Sequence, residues 1–449
     1  MKTDVVVIGG GVAGLATAAL LARMGRGVVV LEKGNALGGR AHTYEKEGFV
    51  LNYGPHAMYG PYSGLLAQVL RRLGRPAIPH GLPPPTRAYF AFDGRFGRAG
   101  PLPHHLLTAR FLPLPSRLRL MPLMAALRLA RPERWLAVTW RQWLEGRTRD
   151  RRLIRFAEAL ATLNTYCRPS ADLSAGMVLR HFQRHLFSRD YVGYMSKGWS
   201  TMYNLFAEVV SESGGLVQTG VQVERLEVAD GRVVAALTAR ERYEASAFVC
   251  TVPPQEAPAL ADAGSALREE LERWSGLRDV RGLCLDLGFR RRLRTDLVLI
   301  YDVERDLYYS LHSEVTPDLA PPGGQLLHAL AYLSPEEAAD DALLGERRRQ
   351  LEEGLDRHFP GWRRDVVVER AVPNVRVASA RPEPSQVGAA RVPLRSASVD
   401  NLFFAGDGRD RPYNLTEICL ASALEVADAL QDVAGPQRPA AIAARAGAG

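Results

Sequence analysis

The sequence predicts an α/β fold in which a parallel sheet with a β-meander is interleaved with a second, α+β block. Three segments indicate this fold. Residues 4–32 have the order of a βαβ unit: buried strand, glycine-rich turn, helix and strand. Residues 221–251 contain strand-like runs around a hairpin turn at Asp230-Gly231. Residues 402–407 are one more apolar run, which ends in a Gly-Asp turn before a helix.

Composition is typical of a folded protein with more than one domain. The 449 residues exceed one ordinary domain, and 47% of them are apolar, which is ample material for a core. The four cysteines are scattered without a C-x-x-C pair, which argues against a disulfide framework and suits a cytoplasmic location. The uncharged run at residues 5–22 contains the glycine turn and belongs to the βα unit rather than to a membrane span.

The opening unit has the pattern of a Rossmann-like dinucleotide-binding domain. Residues 5–8 are a continuous apolar run, as expected of a parallel strand buried on both faces. Glycines in the G-x-G-x-x-G positions allow a tight turn, close approach to a pyrophosphate and close helix–strand packing. Glu32, which ends the second strand before Lys33, is placed to accept hydrogen bonds from a ribose diol. In the turn and the first helical residues, the predicted cofactor contacts are Gly9, Gly11, Val12, Ala13 and Gly14.

A second glycine pair follows this unit. Gly38 and Gly39 let the backbone pass close to a cofactor, and Arg40 is able to neutralise pyrophosphate charge. A strand-like stretch at residues 48–52 then leads into three residues that are also placed beside the cofactor: Gly54, Pro55 and His56.

Further elements are predicted along the rest of the chain. Residues 61 to about 190 are helix-rich and punctuated by prolines, and a helix ends near Glu212. Ser334 has the position of an N-cap with a capping-box acid at Glu337, so a helix should run from there to about His358. The last helix is predicted from about Thr416 onward. Antiparallel strands are predicted at 283–289, 297–301, 307–312 and 326–333.

The cofactor-binding parts therefore lie in separate pieces of the chain, with a substrate domain inserted between them. The predicted boundaries are 1–60, 195–255 and 395–435 for the cofactor-binding domain, 61–194 and 256–394 for the substrate-binding domain, and 436–449 for a flexible tail.

The net charge of +8 is concentrated in one segment, residues 101–152. This segment contains 11 arginines against three acidic residues, a difference of +8, together with three tryptophans and several apolar stretches. Basic residues mixed with tryptophan and leucine on helices favour peripheral contact with an anionic membrane, on its cytoplasmic face. A solvated helical face is the alternative. Nucleic-acid binding is not expected, because no recognised nucleic-acid motif accompanies the charge.

The motifs together resemble those of the flavin amine oxidase and phytoene desaturase superfamily, whose members are FAD-dependent oxidoreductases. The resemblance covers the chain from Asp4 to about Leu430 and is most specific in the opening unit, in residues 38–40 and in residues 404–407. Residues 48–56 and Gly198-Trp199 look more like the phytoene desaturase-related branch than the amine oxidases.

The resemblance implies FAD as the cofactor and a role for several further residues. Val223 resembles the valine whose backbone pairs with adenine, and Asp407, after Gly406, matches the aspartate that binds the ribityl chain. Leu415 and Thr416 occupy the start of the last helix, which in the family faces the flavin N1/O2 edge, although many relatives have glycines there.

Two reactions and one binding role are compatible with this resemblance. The favoured reaction transfers hydride from an apolar isoprenoid, carotenoid-like or lipid-like substrate to flavin N5. The alternative is oxidation of an amine or amino acid, which is disfavoured because no lysine lies in residues 280–285, where many amine oxidases have one. A non-catalytic lipid- or prenyl-binding module is the alternative of another class. The candidate catalytic residues are His56, Asp410 and Tyr413, and no metal site is predicted. The substrate, the electron acceptor and the oligomeric state are left open.

Overall fold

The computed structural model describes residues 1–98, 109–185, 191–411, 413 and 415–431. The predicted tail at 436–449 and residues 101–108 of the arginine-rich segment lie outside these described residues. In chain order the strands are β1 (Lys2–Ile8), β2 (Val28–Leu31), β3 (Thr43–Lys46), β4 (Phe49–Asn52), β5 (Met58–Tyr59), β6 (His80–Gly81), β7 (Ala88–Phe92), β8 (Arg95–Arg98), β9 (Val192–Met195), β10 (Leu216–Gln218), β11 (Val223–Ala229), β12 (Arg232–Thr238), β13 (Arg242–Cys250), β14 (Val280–Phe289), β15 (Leu299–Asp302), β16 (Leu307–Ser310), β17 (Gln325–Leu333), β18 (Val366–Ala378) and β19 (Leu402–Phe404). The helices are α1 (Val12–Arg23), α2 (Leu65–Leu73), α3 (Leu114–Leu129), α4 (Trp140–Glu145), α5 (Arg151–Thr165), α6 (Ala175–His185), α7 (Ser200–Glu212), α8 (Ala266–Ser275), α9 (Pro335–Ala339), α10 (Asp341–His358) and α11 (Thr416–Gln431).

The first sheet has a parallel centre in the order β10-β2-β1-β13-β19. Strand β13 belongs to two arrangements: its first residues pair antiparallel with β12, and its last residues pair in parallel with β1 and β19. The hairpin turn between β11 and β12 has both central residues, Asp230 and Gly231, at positive φ. The predicted parallel sheet with its β-meander is therefore confirmed.

Helix α1 is held against this sheet by its small residues. All residues of α1 from Val12 to Ala22 are buried, because the helix packs between the sheet and helices α7 and α11. A Cβ atom on Gly14 would lie 2.0 Å from the carbonyl oxygen of Gly9, so only glycine allows the helix to approach the end of β1 this closely.

The second sheet has the order β18-β14-β17-β16-β15-β7-β8 and is antiparallel except between β15 and β7. One face of its central strands packs on α10 through Leu351 and Leu355. The four predicted antiparallel strands are present as β14 to β17. Two parts of this sheet were not predicted: β18, and the hairpin β7–β8, which lies inside the block predicted to be helix-rich.

The helix predicted after Ser334 is present as two helices. The capping box of Ser334 and Glu337 forms as predicted, with the Ser334 hydroxyl accepting from the Glu337 N–H. Asp340 then adopts an extended conformation, and its carboxylate accepts hydrogen bonds from the N–H groups of Ala342 and Leu343. A second N-cap at this position interrupts the helix, which resumes as α10 and ends at His358 as expected.

The arginine-rich segment folds differently from the prediction in one respect. Trp140 and Trp143 are at most 1% exposed, and their rings stack 5.1 Å apart inside the core of the helical region. The Arg147 guanidinium lies over the Trp143 ring at 3.7 Å. These tryptophans serve packing, so they are not the membrane-contacting aromatics that the sequence suggested. Among the described residues, no helix is long and apolar enough to cross a membrane.

Candidate cofactor and substrate site

A cavity of about 830 Å³ lies where the two sheets meet. It falls in the range of ligand cavities, about 300–1,000 Å³. One part of its wall comes from the carboxyl ends of β1, β2, β13 and β19, the edge at which parallel α/β sheets bind ligands. Another part comes from the second sheet, through Cys284 on β14 and Leu330 on β17.

The glycine-rich turn forms a cradle at this edge. Gly9, Gly11, Val12 and Ala13 line the cavity, whereas Gly14 packs beneath the turn and does not. A Cβ atom on Gly11 would meet nothing within 4 Å, so the backbone here is open to a ligand. No side chain caps the start of α1, which leaves its first N–H groups and the positive end of the helix dipole available to phosphate oxygens.

Glu32 is fixed beside this cradle by backbone donors. Its two carboxylate oxygens accept hydrogen bonds from the Gly10 N–H at 2.6 Å and the Gly34 N–H at 2.7 Å. A carboxylate has further lone pairs, which remain for a ribose diol. Lys33 and Val223 also line this part of the cavity, and the Lys33 ammonium lies 3.0 Å from the carboxylate of Glu256.

Arg40 and Asp407 form an ion pair in the cavity wall, in contact through two hydrogen bonds of 2.7 Å. The predictions gave these residues separate partners, a pyrophosphate and a ribityl chain. Burial favours the neutral acid, but the Arg40 guanidinium and the Ser379 N–H outweigh it and hold the pKa of Asp407 at about 2. Although burial lowers the pKa of Arg40, Asp407 raises it above its ordinary value.

Gly38, Gly39 and Gly406 also line the cavity. Gly38 has φ +98°, and a Cβ atom there would lie 2.6 Å from the Tyr203 ring. Leu415 has φ +53°, a left-handed conformation that is uncommon for a residue other than glycine. Leu415 and Thr416 both border the cavity just before and at the start of α11.

The part of the cavity between the second sheet and the neighbouring helices is mainly apolar, although Arg376 on β18 and Glu417 on α11 also line the cavity. Burial raises the pKa of Tyr59, of Tyr166 and of the Cys284 thiol, so all three stay neutral. The Tyr166 hydroxyl donates to the Pro55 carbonyl oxygen at 3.0 Å. The residues that form this wall are Pro55, His56, Tyr59, Leu66, Tyr166, Met195, Trp199, Met202, Cys284, Leu330, Leu415 and Leu420.

His56 is the candidate catalytic residue that this wall contains. Its Nδ1 atom lies 3.0 Å from the Gly54 carbonyl oxygen, so Nδ1 carries the proton. Burial lowers the pKa of His56 to about 4, which keeps the ring neutral at pH 7. Gly54 itself does not line the cavity. It packs against β14, where a Cβ atom would lie 2.6 Å from the Cys284 sulfur.

The other two candidate catalytic residues lie away from the cavity. Asp410 is exposed to solvent, and its N–H is bonded to the Val392 carbonyl oxygen. Tyr413 packs on the core of the first sheet, with the Arg184 guanidinium 3.9 Å above its ring. Neither residue lines the cavity.

Several wall residues escaped sequence reasoning, among them Tyr59, Tyr166, Thr251 and Leu330. They stand outside the recognised motifs and reach the cavity only through tertiary packing. One local signal was present and was not used: His181 and His185 have the H-x-x-x-H spacing on α6. The prediction of no metal site rested on the histidines forming no H-x-x-x-H arrangement, and this pair shows that basis to be wrong.

Comparisons with known proteins agree with this geometry. A family model described as flavin containing amine oxidoreductase matches residues 12–431. All-trans-retinol 13,14-reductase from Danio rerio is 47% identical over 53 residues, which are 12% of this chain and 9% of that protein. Phytoene desaturase from Cercospora nicotianae is 45% identical over 73 residues, 16% of this chain and 11% of that protein. These matches span only about a tenth of each relative's length.

The whole fold is also similar to that of solved structures. The crystal structure of an oxidoreductase from Methanosarcina mazei superposes with a TM-score of 0.79 at 18% identity, covering 95% of this chain and 100% of that one. The open glycine cradle, the uncapped start of α1 and the carboxylate of Glu32 fit the ADP half of FAD, the cofactor of the family. The chain is therefore an FAD-dependent oxidoreductase that belongs to the flavin-containing amine oxidoreductase family.

Proposed function

We propose that the protein is a desaturase-type dehydrogenase of an apolar, isoprenoid- or polyene-like substrate. The observation that carries this proposal is the apolar wall beside the second sheet, which is built from aromatic, aliphatic and sulfur-containing side chains. Such a wall recognises a hydrocarbon by the burial of apolar surface, about 25 cal/mol per Å². The relatives named above are a retinol reductase and a phytoene desaturase, which supports an isoprenoid substrate.

The reaction removes two hydrogens from neighbouring carbons and forms a C=C bond. Bound FAD would supply the acceptor for the hydride. The second hydrogen leaves as a proton, for which the lone pair of the neutral His56 ring, at Nε2, is the acceptor that the wall offers. The hydrogen bond from Nδ1 to the Gly54 carbonyl oxygen fixes this tautomer.

Amine oxidation is the second candidate, and the family name favours it. The apolar wall has no charged side chain for a cationic or amine substrate, however, and the carboxylate that borders the cavity beside it, Glu417, is hydrogen-bonded to His185. Among the described residues that line the cavity, Lys33 is the lysine, and it is paired with Glu256. On β14 the residue facing the cavity is Cys284. The further alternative of a non-catalytic lipid-binding module predicts loss of the cofactor positions, yet Gly9, Glu32 and Asp407 are all in place.

Anaerobic mixing tests the substrate class. The FAD-loaded protein is combined with retinoids, carotenoid precursors and diamines in turn, and bleaching of the flavin absorbance is followed. We expect bleaching by an isoprenoid. The Leu330→Glu variant, which places a charge in the apolar wall, should lose this bleaching but keep its FAD, whereas Leu343→Glu on the surface of α10 should behave as wild type. Bleaching by amines alone would overturn the proposal.

We also propose that the protein docks on an anionic lipid surface through α3. The outward face of this helix carries an apolar stripe with helical spacing, made of Leu114, Leu118, Met121, Pro122, Ala125 and Leu129. Leu118 is 62% exposed and Leu129 is 80% exposed, while the opposite face, with Leu123 and Leu127, is buried in the core. The stripe lies within the segment that has 11 arginines against three acids, so its charge complements an anionic membrane.

Co-sedimentation with vesicles tests this docking. We expect binding to phosphatidylcholine vesicles only when phosphatidylglycerol is mixed in, and weaker binding at high salt. Leu118→Ser and Leu129→Ser should each weaken it about thirtyfold, since burying a leucine contributes about 2 kcal/mol. Leu343→Ser, an exposed leucine on α10, is the control and should bind as wild type. Equal binding by all of these variants would contradict the proposal.

A further inference from the structure

Three side chains with metal-ligating atoms meet at one place between α6 and α11. His181 and His185 are four residues apart on α6 and therefore share one face of that helix. Glu417 reaches them from the first turn of α11, 232 residues later than His185. One ligand atom from each of the three residues lies within 4.8 Å of the others, and the His185 Nε2 atom is 2.7 Å from a Glu417 oxygen.

The surrounding protein atoms leave several polar atoms of this cluster without a hydrogen-bond partner. His181, His185 and Glu417 are each at most 4% exposed. Both ring nitrogens of His181 and the Oε1 atom of Glu417 are buried without a hydrogen-bond partner. Buried polar atoms without partners each cost about 1–3 kcal/mol, so three of them in one cluster call for a ligand.

We propose that His181, His185 and Glu417 bind a divalent cation of the zinc type. Two imidazoles and one carboxylate are a ligand set that Zn²⁺ prefers, and the i, i+4 histidine pair on a helix is a recurrent way to supply two of the ligands. Zinc–ligand distances of about 2.0–2.2 Å place tetrahedral ligand atoms roughly 3.3 Å apart, which side-chain rotations within the cluster would reach.

A cation at this position would have two effects, one on the cavity and one on the packing of α6 against α11. Three protein ligands leave one tetrahedral position open, and Glu417 borders the cavity, so the cation is within reach of molecules in it. Tyr59, another wall residue, lies against both imidazoles, with ring centroids 5.2 Å from His181 and 5.1 Å from His185. The cation also ties α6 to the start of α11, and so fixes the backbone at Leu415 and Thr416.

Zinc binding to the FAD-loaded protein tests the site directly. The protein is stripped with a chelator and dialysed against ZnCl₂, and the bound zinc is counted by elemental analysis. We expect one zinc per chain. His181→Ala, His185→Ala and Glu417→Gln should each bind at least about tenfold more weakly, because each removes a ligand. His80→Ala removes a histidine outside the cluster and should bind as wild type.

Two further measurements separate the loss of a zinc ligand from a loss of folding. The flavin-to-protein ratio and the circular dichroism of each variant show that it is folded, and His181→Gln, which preserves size, replaces the alanine variant if the latter fails to fold. A wild-type protein that takes up no zinc, or variants that bind zinc as tightly as wild type, would overturn the site. The zinc count does not depend on any substrate, so it is independent of the outcome for the desaturase proposal.

Discussion

At the scale of single residues, the Arg40–Asp407 ion pair joins positions 367 residues apart in the chain. Asp407 is 5% exposed, and its carboxylate also accepts from the Ser379 N–H. A buried carboxylate held this way stays ionised in the folded protein at acidic pH values at which the same carboxylate is protonated in the unfolded chain. The pair therefore makes the stability of the protein depend on pH in the acidic range.

The sign of this dependence follows from the direction of the shift. The pKa of Asp407 falls from 3.8 to about 2 on folding, so the stabilisation is complete above about pH 4 and is lost as the pH falls toward 2. The shift corresponds to about 2 kcal/mol. We expect Asp407→Asn to remove this part of the pH dependence of the free energy of unfolding, measured by denaturant titration, and to lower stability at pH 7.

The exposed pair on α10 provides the control. Glu346 is paired with Arg349 on the helix surface. Glu346→Gln should leave the free energy of unfolding and its pH dependence unchanged. If Asp407→Asn retained the full acid dependence of the wild-type protein, the ion pair would not be its source.

At the scale of elements, the loop after β4 comes unusually close to β14. Gly54 makes this possible, because it has φ +86° and because a Cβ atom there would collide with the sulfur of Cys284. The contact brings His56 and the central strand of the second sheet into the same wall. The contact thus fixes the loop after β4 against the second sheet at the cavity.

We expect Gly54→Ala to destabilise the protein by about 1–3 kcal/mol through this overlap, in addition to the backbone strain. The measurement is the free energy of unfolding. Gly94→Ala is a matched control, since Gly94 has φ +69° but no atom within 4 Å of the added Cβ atom, so it reports the strain alone. Adding Cys284→Ala to Gly54→Ala should recover part of the loss, and no recovery would contradict the steric explanation.

The elements that could be predicted are those that neighbouring residues in the sequence specify. The order of strand, glycine turn and helix in the opening unit and the capping box at Ser334 were predicted correctly, because each is specified by neighbours in the sequence. Strand β18 was missed: its 13 residues include Pro373 and several charged residues, and only two of its residues are buried. It is a strand because it pairs with β14, and the residues of β18 alone do not indicate this pairing.

The candidate site also contains features that the local sequence specifies and features that depend on tertiary contacts. The glycine cradle and Glu32 were predictable from one segment, whereas the pairing of Arg40 with Asp407 depends on two chain segments meeting in space. The burial of Trp140 and Trp143 was equally inaccessible, since composition alone does not distinguish a packed tryptophan from an exposed one. The H-x-x-x-H pair was visible in the sequence, but its third member, Glu417, was not.

At the scale of the whole molecule, the FAD site joins elements from distant parts of the chain. Cavity residues come from the opening unit, from the segments around Val223 and Thr251, from the second sheet and from α11. A ligand that contacts all of them binds the folded state alone. It should therefore stabilise the complete assembly rather than one part of it.

We expect FAD at 100 times its Kd to raise the free energy of unfolding of the cofactor-free protein by about 2.7 kcal/mol. Denaturant titration with and without FAD measures this change. Adenosine diphosphate has no flavin with which to contact the second sheet or α11, so at the same concentration it should stabilise less. Equal stabilisation by the two ligands would contradict a site that extends across both sheets.

The strand order of the first sheet also has a consequence for synthesis on the ribosome. Val5 of β1 pairs with Ala247 of β13, and Val249 of β13 pairs with Phe403 of β19. At roughly 5–20 residues per second, β1 emerges roughly 12–50 s before its partner in β13 does, and β19 follows later still. During that interval the apolar edges of β1 and β13 lack their native neighbours. Slower translation lengthens this interval, and with it the time during which the unpaired edges are open to pairing with another chain.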